Sequence, residues 1–324
     1  MSASGADSTR FAALVRSAKS VAVGAHVDPD GDAVGSTLGL VLALRSIGLN
    51  AVPVLASGDS VPETYAFLPG SGLYRAAIDT DVPDVFIALD TPTFARLGDA
   101  ESLARSADDL IVIDHHPDNA RFGTLSIVDP AASSVGGILW ELLFEMDIDP
   151  DVDVATCLYT ALVTDSGRFS YSNTTSRTFR IAAEMLEHGV DVQRVFTEVY
   201  ESRSVGALAL IGRTLERVTC VDGDSIAYSW VEDDDFTQTG ALKAESENLI
   251  DEVRALRGAR IVFLMKRSPG LVHVSLRAKG SADVGSVARA FGGGGHAAAA
   301  GFTFEGEIPD LLTVLLPALR EAHG

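Results

Sequence analysis

Cysteine is almost absent from this 324-residue sequence, which contains only Cys157 and Cys220. The two residues lie far apart and each sits in an apolar stretch, so we expect two reduced thiols buried in the core. This usage argues against a disulfide framework and against a cysteine-based metal site.

Long apolar runs are missing as well, because none approaches the roughly 18 residues that a membrane-spanning helix needs. The opening residues also lack the basic region followed by an apolar one that is typical of a leader peptide. We therefore expect a cytoplasmic protein without a membrane partner.

Positive charge is scarce: 25 Lys and Arg face 45 Asp and Glu, a formal net charge of −20. Such a surface repels a long phosphate backbone and lacks the basic balance of a duplex-binding protein. The composition therefore argues against long nucleic acids as partners, and we expect any nucleic-acid substrate to be short.

What is present is the composition of a globular protein, with 47% hydrophobic and 22% charged residues. The length suggests two domains, although it leaves one large domain open. We find no internal repeat of a solenoid period.

The first half alternates short β-branched runs with longer segments of helical spacing, which predicts an α/β domain with a doubly wound, mainly parallel sheet. The predicted strands are Val21–Ala25, Ala51–Leu55, Val85–Leu89, Leu110–Ile113 and Thr124–Val128. The predicted helices are Asp32–Ile47, Ser134–Met146 and Asp151–Val163.

The second half predicts a smaller α+β domain. Two helical segments, Thr175–Glu187 and Val192–Leu215, precede it; the second is interrupted by Gly206 and Gly212 and is interpreted as a connector. Further elements are strands Arg217–Val221 and Ser225–Val231, a helix Glu245–Leu256, and a hairpin of Ile261–Lys266 and Leu271–Leu276. This division gives a catalytic domain over 1–195, a helical linker over 196–216 and a substrate-binding domain over 217–324.

Acidic and imidazole side chains follow three apolar strands of the first domain, namely the first, third and fourth predicted strands. They are His26, Asp30, Asp32, Asp90, Asp114, His115 and His116. Because the carboxyl ends of the strands border the ligand crevice in open α/β sheets, three distant segments would bring these side chains to one place. Asp165, after another apolar stretch, is a further candidate.

Histidine and aspartate without cysteine suit Mn²⁺, with Mg²⁺, Co²⁺ or Zn²⁺ as less certain choices. Six such ligands exceed the need of one catalytic ion with an open position. Two ions about 3.5 to 4 Å apart, bridged by a carboxylate, would generate a hydroxide for attack on phosphorus. Asp90, central among the strand ends, is the predicted bridge.

Each residue also has an ordinary structural interpretation. A lone aspartate after a strand is more often a helix cap or a turn residue, and Asp32 in particular could cap the helix that follows. His26 alone could be a structural histidine. The joint occurrence at three strand ends favours the site, whereas Asp28, Asp99 and Asp118 are interpreted as surface acids.

A second candidate region is the run from Phe291 through Gly292–Gly295 and His296 to the alanines that follow. Consecutive glycines let backbone N–H groups approach an anion, and the alanines could open a helix whose N-terminus favours negative charge. The alternative is a flexible turn. Three cations nearby, Arg277, Lys279 and Arg289, add donors, and Arg277 at the end of a strand is the best placed.

Taken together, these motifs resemble the DHH/DHHA1 phosphoesterases over nearly the whole chain and in the same order. The matching motifs are His26-x-x-x-Asp30-x-Asp32, Asp90, Asp114-His115-His116, Asp165-Ser-Gly-Arg-Phe169 and Gly292-Gly-Gly-Gly-His296. The length and layout resemble the nano-RNase and pAp phosphatase branch. Its members cleave very short oligoribonucleotides, dephosphorylate 3'-phosphoadenosine 5'-phosphate (pAp), or hydrolyse cyclic di-AMP and its linear product pApA.

The resemblance implies a role for each matching residue. One Mn²⁺ would be held by His26, Asp30 and Asp90. The other would be held by Asp32, Asp90, His115 and Asp165. His116 would face the scissile phosphate, with Asp114 orienting the histidine pair. The substrate's terminal phosphate or neighbouring nucleotide would be held by Arg277, Gly293, Gly294, Gly295 and His296.

The sequence departs from the family pattern at two places, of which the first leaves the metal ligand in place and the second concerns substrate preference. Asp165-Ser-Gly stands where the family has Asp-Thr-Gly, and alanines follow His296 where relatives often carry a polar residue. The leading hypothesis is a Mn²⁺-dependent phosphoesterase acting on short RNA or (cyclic) dinucleotides, as a homodimer suggested by the apolar helices and the family. The alternatives are an inorganic pyrophosphatase, a long single-strand DNA exonuclease and a nucleotide-binding sensor without turnover.

Overall fold

The computed structural model describes residues 5–56, 60–246 and 249–323. The chain forms two compact units, Met1–Ser202 and Arg203–Gly324. The break between the two helices of the predicted connector lies at residues 201–204, whereas Gly206 and Gly212 both lie inside the second helix. The prediction that these two glycines interrupt the helical segment is therefore wrong.

The first unit is a parallel sheet with helices. Its strands are β1 Val21–Gly24, β2 Ala51–Leu55, β3 Arg75–Ala76, β4 Val85–Leu89, β5 Asp109–Asp114 and β6 Leu125–Val128. Its α-helices are α1 Gly5–Ser17, α2 Gly31–Ser46, α3 Ala100–Ser106, α4 Val135–Glu145, α5 Val152–Asp165, α6 Ser176–Glu187 and α7 Val192–Tyr200. Short 3₁₀ turns lie at Glu63–Tyr65, Ser71–Leu73, Ala77–Asp79 and Phe94–Leu97.

The strand order is β3-β2-β1-β4-β5-β6, and every pairing is parallel. This is a doubly wound α/β sheet, so the predicted fold class is confirmed. The chain leaves β1 toward β2 on one side and reaches β4 on the other, so the order reverses between β1 and β4. Loops that follow these two strands therefore flank the crevice where such sheets bind ligands.

Successive residues of the strands face opposite layers of helices. Ile87 and Leu89 pack into one apolar cluster with α4 and α5, whereas Phe86 and Ala88 pack into another with α3. Strands covered on both faces read as continuous apolar runs, which is why Val85–Leu89 was predictable from sequence.

Helices α2 and α5 lie unusually close together. A Cβ added to Gly35 of α2 would come 2.4 Å from the carbonyl oxygen of Cys157 in α5. Only glycine permits this approach of the two backbones. Because α2 carries Asp32 and α5 ends at Asp165, the contact sets the spacing of these two carboxylates.

The second unit contains a mixed sheet in the order β11-β12-β10-β9-β8-β7. Its strands are β7 Thr219–Val221, β8 Ile226–Val231, β9 Ile261–Ser268, β10 Leu271–Ala278, β11 Gly294–Gly295 and β12 Ala299–Glu305. Its α-helices are α8 Val205–Glu216, α9 Asp233–Thr239, α10 Leu249–Arg254, α11 Val284–Ala290 and α12 Ile308–His323. The smaller α+β unit and the β9–β10 hairpin are as predicted.

Two predictions about this unit need correction. Of the predicted helix Glu245–Leu256, the described part splits into a 3₁₀ turn at Lys243–Ser246 and the helix α10, and residues 247–248 lie outside the described residues. The C-terminal helix α12 was not predicted, although its Leu311, Leu315 and Leu319 repeat every fourth residue and are fully buried.

The cysteines behave differently from each other. Cys157 is a buried free thiol in α5, as predicted, but Cys220 is an exposed free thiol. Cys220 lies on β7, the strand at one edge of the sheet. Among the described residues, no helix has the length and apolar character to cross a membrane.

Candidate active site

The loop after β1 places His26 and Asp30 beside each other. Asp30 caps α2, since its Oδ1 accepts hydrogen bonds from the backbone N–H of Asp32 and of Ala33, both at 3.1 Å. Thus Asp30, not Asp32, is the cap residue. His26 Nδ1 lies 2.8 Å from the carbonyl oxygen of Val27, and its Nε2 lies 3.7 Å from Asp30 Oδ1. A hydrogen on Nδ1, donated to Val27, leaves the Nε2 lone pair available to a ligand.

Asp32 lies in the first turn of α2 and is 1% exposed. Its carboxylate accepts hydrogen bonds from the backbone N–H of Val135 at 2.7 Å and of Gly136 at 3.0 Å, at the N-terminus of α4. Ser36 Oγ donates to it as well. The helix end favours negative charge there, yet burial, followed by the charges of Asp90 and Asp165, raises the pKa of Asp32 well above its usual range.

Asp90 follows β4 in a left-handed backbone conformation, with φ of 51°. Its Oδ2 lies 3.4 Å from His26 Nε2, whereas its Oδ1 lies 3.5 Å from His115 Nε2 and 3.4 Å from His116 Nδ1. Burial alone would raise the pKa of Asp90, but His115 and His26 together hold it well below its usual range. The carboxylate therefore stays charged and faces histidines on both sides.

Asp114, the last residue of β5, is fully buried. Its Oδ1 accepts hydrogen bonds from the backbone N–H of His115 and His116 and from the His116 ring Nδ1, the last at 2.8 Å. Its Oδ2 accepts from the Asn119 amide. Asp114 therefore fixes the turn that carries both histidines and the orientation of the His116 ring.

His115 connects the remaining carboxylates. Its Nδ1 lies 3.3 Å from the carbonyl oxygen of Ala132, while its Nε2 lies 3.4 Å from Asp165 Oδ2 and 3.9 Å from Asp32 Oδ2. Asp165 is the last residue of α5, and a helix C-terminus is an unfavourable place for a carboxylate. Burial raises the pKa of Asp165 to about 6. It thus reaches the site from a helix end and not from a strand.

The donor set fits divalent metal ions. Among the groups of residues whose ligand-type atoms lie within 4.8 Å of one another are two that together contain every predicted metal ligand: His26, Asp30 and Asp90, and Asp32, His115 and Asp165. The oxygens Asp90 Oδ1 and Asp165 Oδ2 are buried without a hydrogen bond. A buried charged oxygen left in this way is costly unless a cation binds it. Oxygen and imidazole ligands without sulfur suit Mn²⁺ or Mg²⁺ better than a soft metal.

The glycine-rich region of the second unit differs from the prediction. Gly294 and Gly295 form the short strand β11, which pairs with Gly301 and Ala300 of β12. The alanines after His296 form a turn and then a strand, not a helix N-terminus. Pairing with β10 explains this difference, because Ala299 and Ala300 lie opposite Arg277 and Leu276 in the sheet. The predicted helix-end phosphate cradle is therefore wrong.

The three predicted cations of this unit differ in their contacts with the β11–β12 hairpin. Arg277 is half-buried on β10, directly opposite Ala299, and Arg289 Nη1 lies 3.4 Å from the Gly295 carbonyl oxygen. Lys279 instead donates to the Leu256 carbonyl oxygen. All five predicted substrate-binding residues are half-buried; Gly293, Gly294, Gly295 and His296 belong to β11 and its flanking residues, whereas Arg277 lies on β10, on the other side of β12.

Three residues near the first site were not predicted. Asn119 donates to Asp114 and to the Thr91 carbonyl oxygen, Ser36 donates to Asp32, and Arg96 places Nη2 3.1 Å from His26 Nδ1. Ser36 lies four residues after Asp32 on one helix, a spacing that the sequence displays. Nothing in the sequence marks Arg96 or Asn119. The three surface acids Asp28, Asp99 and Asp118 are exposed, as predicted.

Comparison with known proteins decides the family. Residues 20–162 match the model of the DHH family N-terminal domain, and residues 223–321 match the DHHA1 domain. A relative from Thermus thermophilus, named bifunctional oligoribonuclease and PAP phosphatase NrnA, is 32% identical over 303 residues, covering 92% of this chain and 89% of the relative. This chain belongs to the DHH family. The resemblance seen in its motifs is thereby confirmed.

Two further relatives of this DHH protein are informative. The cyclic-di-AMP phosphodiesterase PdeA of Listeria monocytogenes is 26% identical over 304 residues, which cover 87% of this chain but 44% of PdeA. The crystal structure of an exopolyphosphatase-related protein from Bacteroides fragilis superposes with a TM-score of 0.88 at 25% identity, over 98% of this chain and 97% of that one. The names of the relatives support the predicted enzyme class, a phosphoester hydrolase.

Proposed function

We propose that this chain is a Mn²⁺-dependent phosphoesterase that hydrolyses short oligoribonucleotides, including pApA, to mononucleotides. The proposal extends to cyclic di-AMP and to the 3'-phosphate of pAp. The observation that carries it is the arrangement around Asp90, whose two oxygens face His26 on one side and His115 on the other. The names of the NrnA and PdeA relatives support the choice of substrates.

In this proposal two ions would occupy the two groups of ligands. One would be held by His26, Asp30 and Asp90. The other would be held by Asp32, Asp90, His115 and Asp165. When bound, the ions would supply a hydroxide at neutral pH and neutralise charge on the phosphate. Mg²⁺ or Co²⁺ would be substitutes for Mn²⁺.

His116 is the proposed proton-handling residue. Its Nδ1 donates to Asp114, which leaves Nε2 for a substrate oxygen. Burial alone would lower the pKa of His116, but the hydrogen bond to Asp114 and the charge of Asp90 raise it above its ordinary value. A protonated imidazole in this place can donate a hydrogen bond to a phosphate oxygen and a proton to the leaving oxygen.

The proposed substrate-binding residues lie in the second unit. Arg277 and His296 would donate to a phosphate or to a neighbouring nucleotide, and Gly293, Gly294 and Gly295, which have no side chain, would let the same anion approach the backbone closely. This assignment makes residues 1–195 the catalytic part, 196–216 a linker and 217–324 the substrate-binding part. We also propose that the enzyme acts as a cytoplasmic homodimer.

The test is a hydrolysis panel with added Mn²⁺. Its substrates are pApA, cyclic di-AMP, pAp, a five-nucleotide RNA, a long single strand and pyrophosphate, each with a chelator control. We expect chelator-sensitive release of mononucleotides from the short substrates and little cleavage of the long strand. Binding of these nucleotides without any turnover would instead support a sensor, and cleavage of pyrophosphate alone would refute the proposed substrate class.

A further inference from the structure

The loop after β4 carries an arginine beside the proposed metal site. Arg96 lies in the 3₁₀ turn Phe94–Leu97, six residues after Asp90, and its Nη2 lies 3.1 Å from His26 Nδ1. Its side chain is exposed to solvent. Within residues 5–56, 60–246 and 249–323, its guanidinium makes no ion pair with a carboxylate, in contrast to Arg177, which binds Asp129 and Glu141.

The position of Arg96 is fixed by backbone contacts. Its carbonyl oxygen accepts a hydrogen bond of 2.8 Å from the N–H of Val27, the residue after His26. Gly98 packs against the same residue, because a Cβ at Gly98 would come 2.6 Å from Val27 Cγ1. Leu97 between them is fully buried. The loop after β4 is thus pressed onto the loop after β1, and Arg96 starts from a fixed point at the rim of the site.

A hydrogen bond from Arg96 to His26 Nδ1 is incompatible with metal binding by His26 Nε2. Nδ1 of one ring cannot both donate to the Val27 carbonyl oxygen and accept from Arg96. The tautomer whose Nε2 is free for a metal carries its hydrogen on Nδ1, so it satisfies Val27 and offers Arg96 no acceptor. The guanidinium would then lie beside an N–H donor, on a ring whose Nε2 binds a metal cation, an unfavourable arrangement unless an anion binds there.

We propose that Arg96 is a substrate-binding residue that donates its guanidinium to an oxygen of the scissile phosphate, at the side of the site formed by His26 and Asp90. The inference rests on the proposed phosphoesterase function and deepens it. A phosphate is an anion that a guanidinium can bind through two N–H groups, and it is the anion that the proposed reaction brings to this site. Because it acts on the reacting phosphate, Arg96 serves every substrate, with or without a base.

The experiment compares Arg96→Ala and Arg96→Lys with Arg180→Ala. The control removes an exposed charge from α6, whose only described bond is to the carbonyl oxygen of Ser176 in the same helix. We expect Arg96→Ala to lower kcat/KM about 10- to 100-fold on both pApA and bis(4-nitrophenyl) phosphate, with partial recovery in Arg96→Lys. The control should match the unmodified protein.

Calorimetry supplies readouts that need no turnover. Arg96→Ala should weaken binding of AMP in the presence of Mn²⁺, leave binding of adenosine unchanged, and leave the affinity for Mn²⁺ alone unchanged. Equal AMP affinity in Arg96→Ala and Arg180→Ala would overturn the inference, as would a parallel loss of Mn²⁺ affinity, which would make Arg96 a support for His26. If the unmodified protein hydrolyses nothing, the proposed function fails, while AMP binding still decides the role of Arg96.

Discussion

The two units differ in how deeply most of their candidate residues are buried. In the first unit, His26, Asp32, Asp90 and His115 are all less than 10% exposed, and each is held by hydrogen bonds or by close contacts with the others. In the second unit, the glycine-rich run from Gly292 to His296 is half-buried to exposed. The candidate site of the first unit is therefore preorganised for its ligand. The candidate residues of the second unit can adapt to a ligand.

The difference has a physical basis. The first site lies at the carboxyl edge of a parallel sheet covered by helices on both faces, so moving one ligand requires moving a packed strand or helix. The hairpin of the second unit is at the edge of a mixed sheet, where fewer neighbours restrain it. Mutations in the first unit should therefore abolish chemistry, whereas mutations in the second should change which substrates bind.

The largest effect should come from the centre of the first site. Asp90→Ala removes the carboxylate shared by the two proposed ligand groups, and we expect hydrolysis of pApA to fall about 10³-fold or more. Mn²⁺ binding, measured by calorimetry, should fall with it. Asp108→Ala is the matched control, because Asp108 is exposed and precedes β5, at the opposite edge of the sheet. Unchanged hydrolysis in Asp90→Ala would refute the two-metal proposal.

A smaller loss should follow a change that orients a residue without removing a ligand. Asp114→Asn keeps the shape of the side chain but weakens its bonds to His116 and to the turn, so we expect kcat on pApA to fall about 10- to 100-fold with KM nearly constant. Asp118→Asn, an exposed carboxylate in the same turn, should have no effect. A comparable loss of kcat in both variants would show that the loss comes from disturbing the turn and not from the orientation of His116.

The contrast predicts a different outcome in the second unit. His296→Ala should raise KM for pApA about 10-fold because one charge-assisted contact is lost, while hydrolysis of bis(4-nitrophenyl) phosphate should be unchanged. Steady-state kinetics on both substrates measures this. Equal losses on both would count against a substrate-holding role for His296 and against the division of labour between the units.

The smallest effect on activity is expected for Asp235→Asn in the second unit. Its effect on stability should nevertheless be measurable. This carboxylate binds Arg217 and Arg213. Burial would raise the pKa of Asp235, but Arg217, the Glu232 N–H and Arg213 together lower it to about 2. Since the folded pKa lies below the unfolded one, its contribution, about 2 kcal/mol, is present above pH about 4 and is lost as the pH falls toward 2.

Asp235→Asn should therefore destabilise the second unit at pH 7, with a smaller difference at pH 3. Chemical unfolding followed by the fluorescence of Trp230, in a Trp140→Phe background for both proteins, measures the free energy of unfolding of that unit. A difference that does not depend on pH would contradict the assigned ion pairs. Hydrolysis of bis(4-nitrophenyl) phosphate at pH 7 should be unchanged.

The sequence predicted the first unit far better than the second for physical reasons. Buried parallel strands such as Val85–Leu89 read as uninterrupted apolar runs, and residues placed directly after them reach one sheet edge. The alanines after His296 carry no such signal, because alanine accepts helix or strand and pairing with β10 decides the outcome. Cys220 was assigned to the core because an edge strand and a central strand look alike in sequence.

Contacts between distant segments were also beyond reach. The bonds from Val135 and Gly136 to Asp32 join the N-termini of two helices that are far apart in the chain. Arg96 becomes a candidate only because the structure places it close to His26. Such pairs depend on tertiary packing, which no local pattern of residues encodes.

The close approach of α2 and α5 at Gly35 has a consequence for how this protein can vary. A single methyl group there would push apart the two helices that carry Asp32 and Asp165, although Gly35 itself contacts no ligand. A genetic screen for loss of hydrolysis should therefore recover Gly35→Ala alongside the substitutions at the acids and histidines. Among the positions at which substitution abolishes hydrolysis, a glycine would therefore appear alongside the acids and histidines whose spacing it sets.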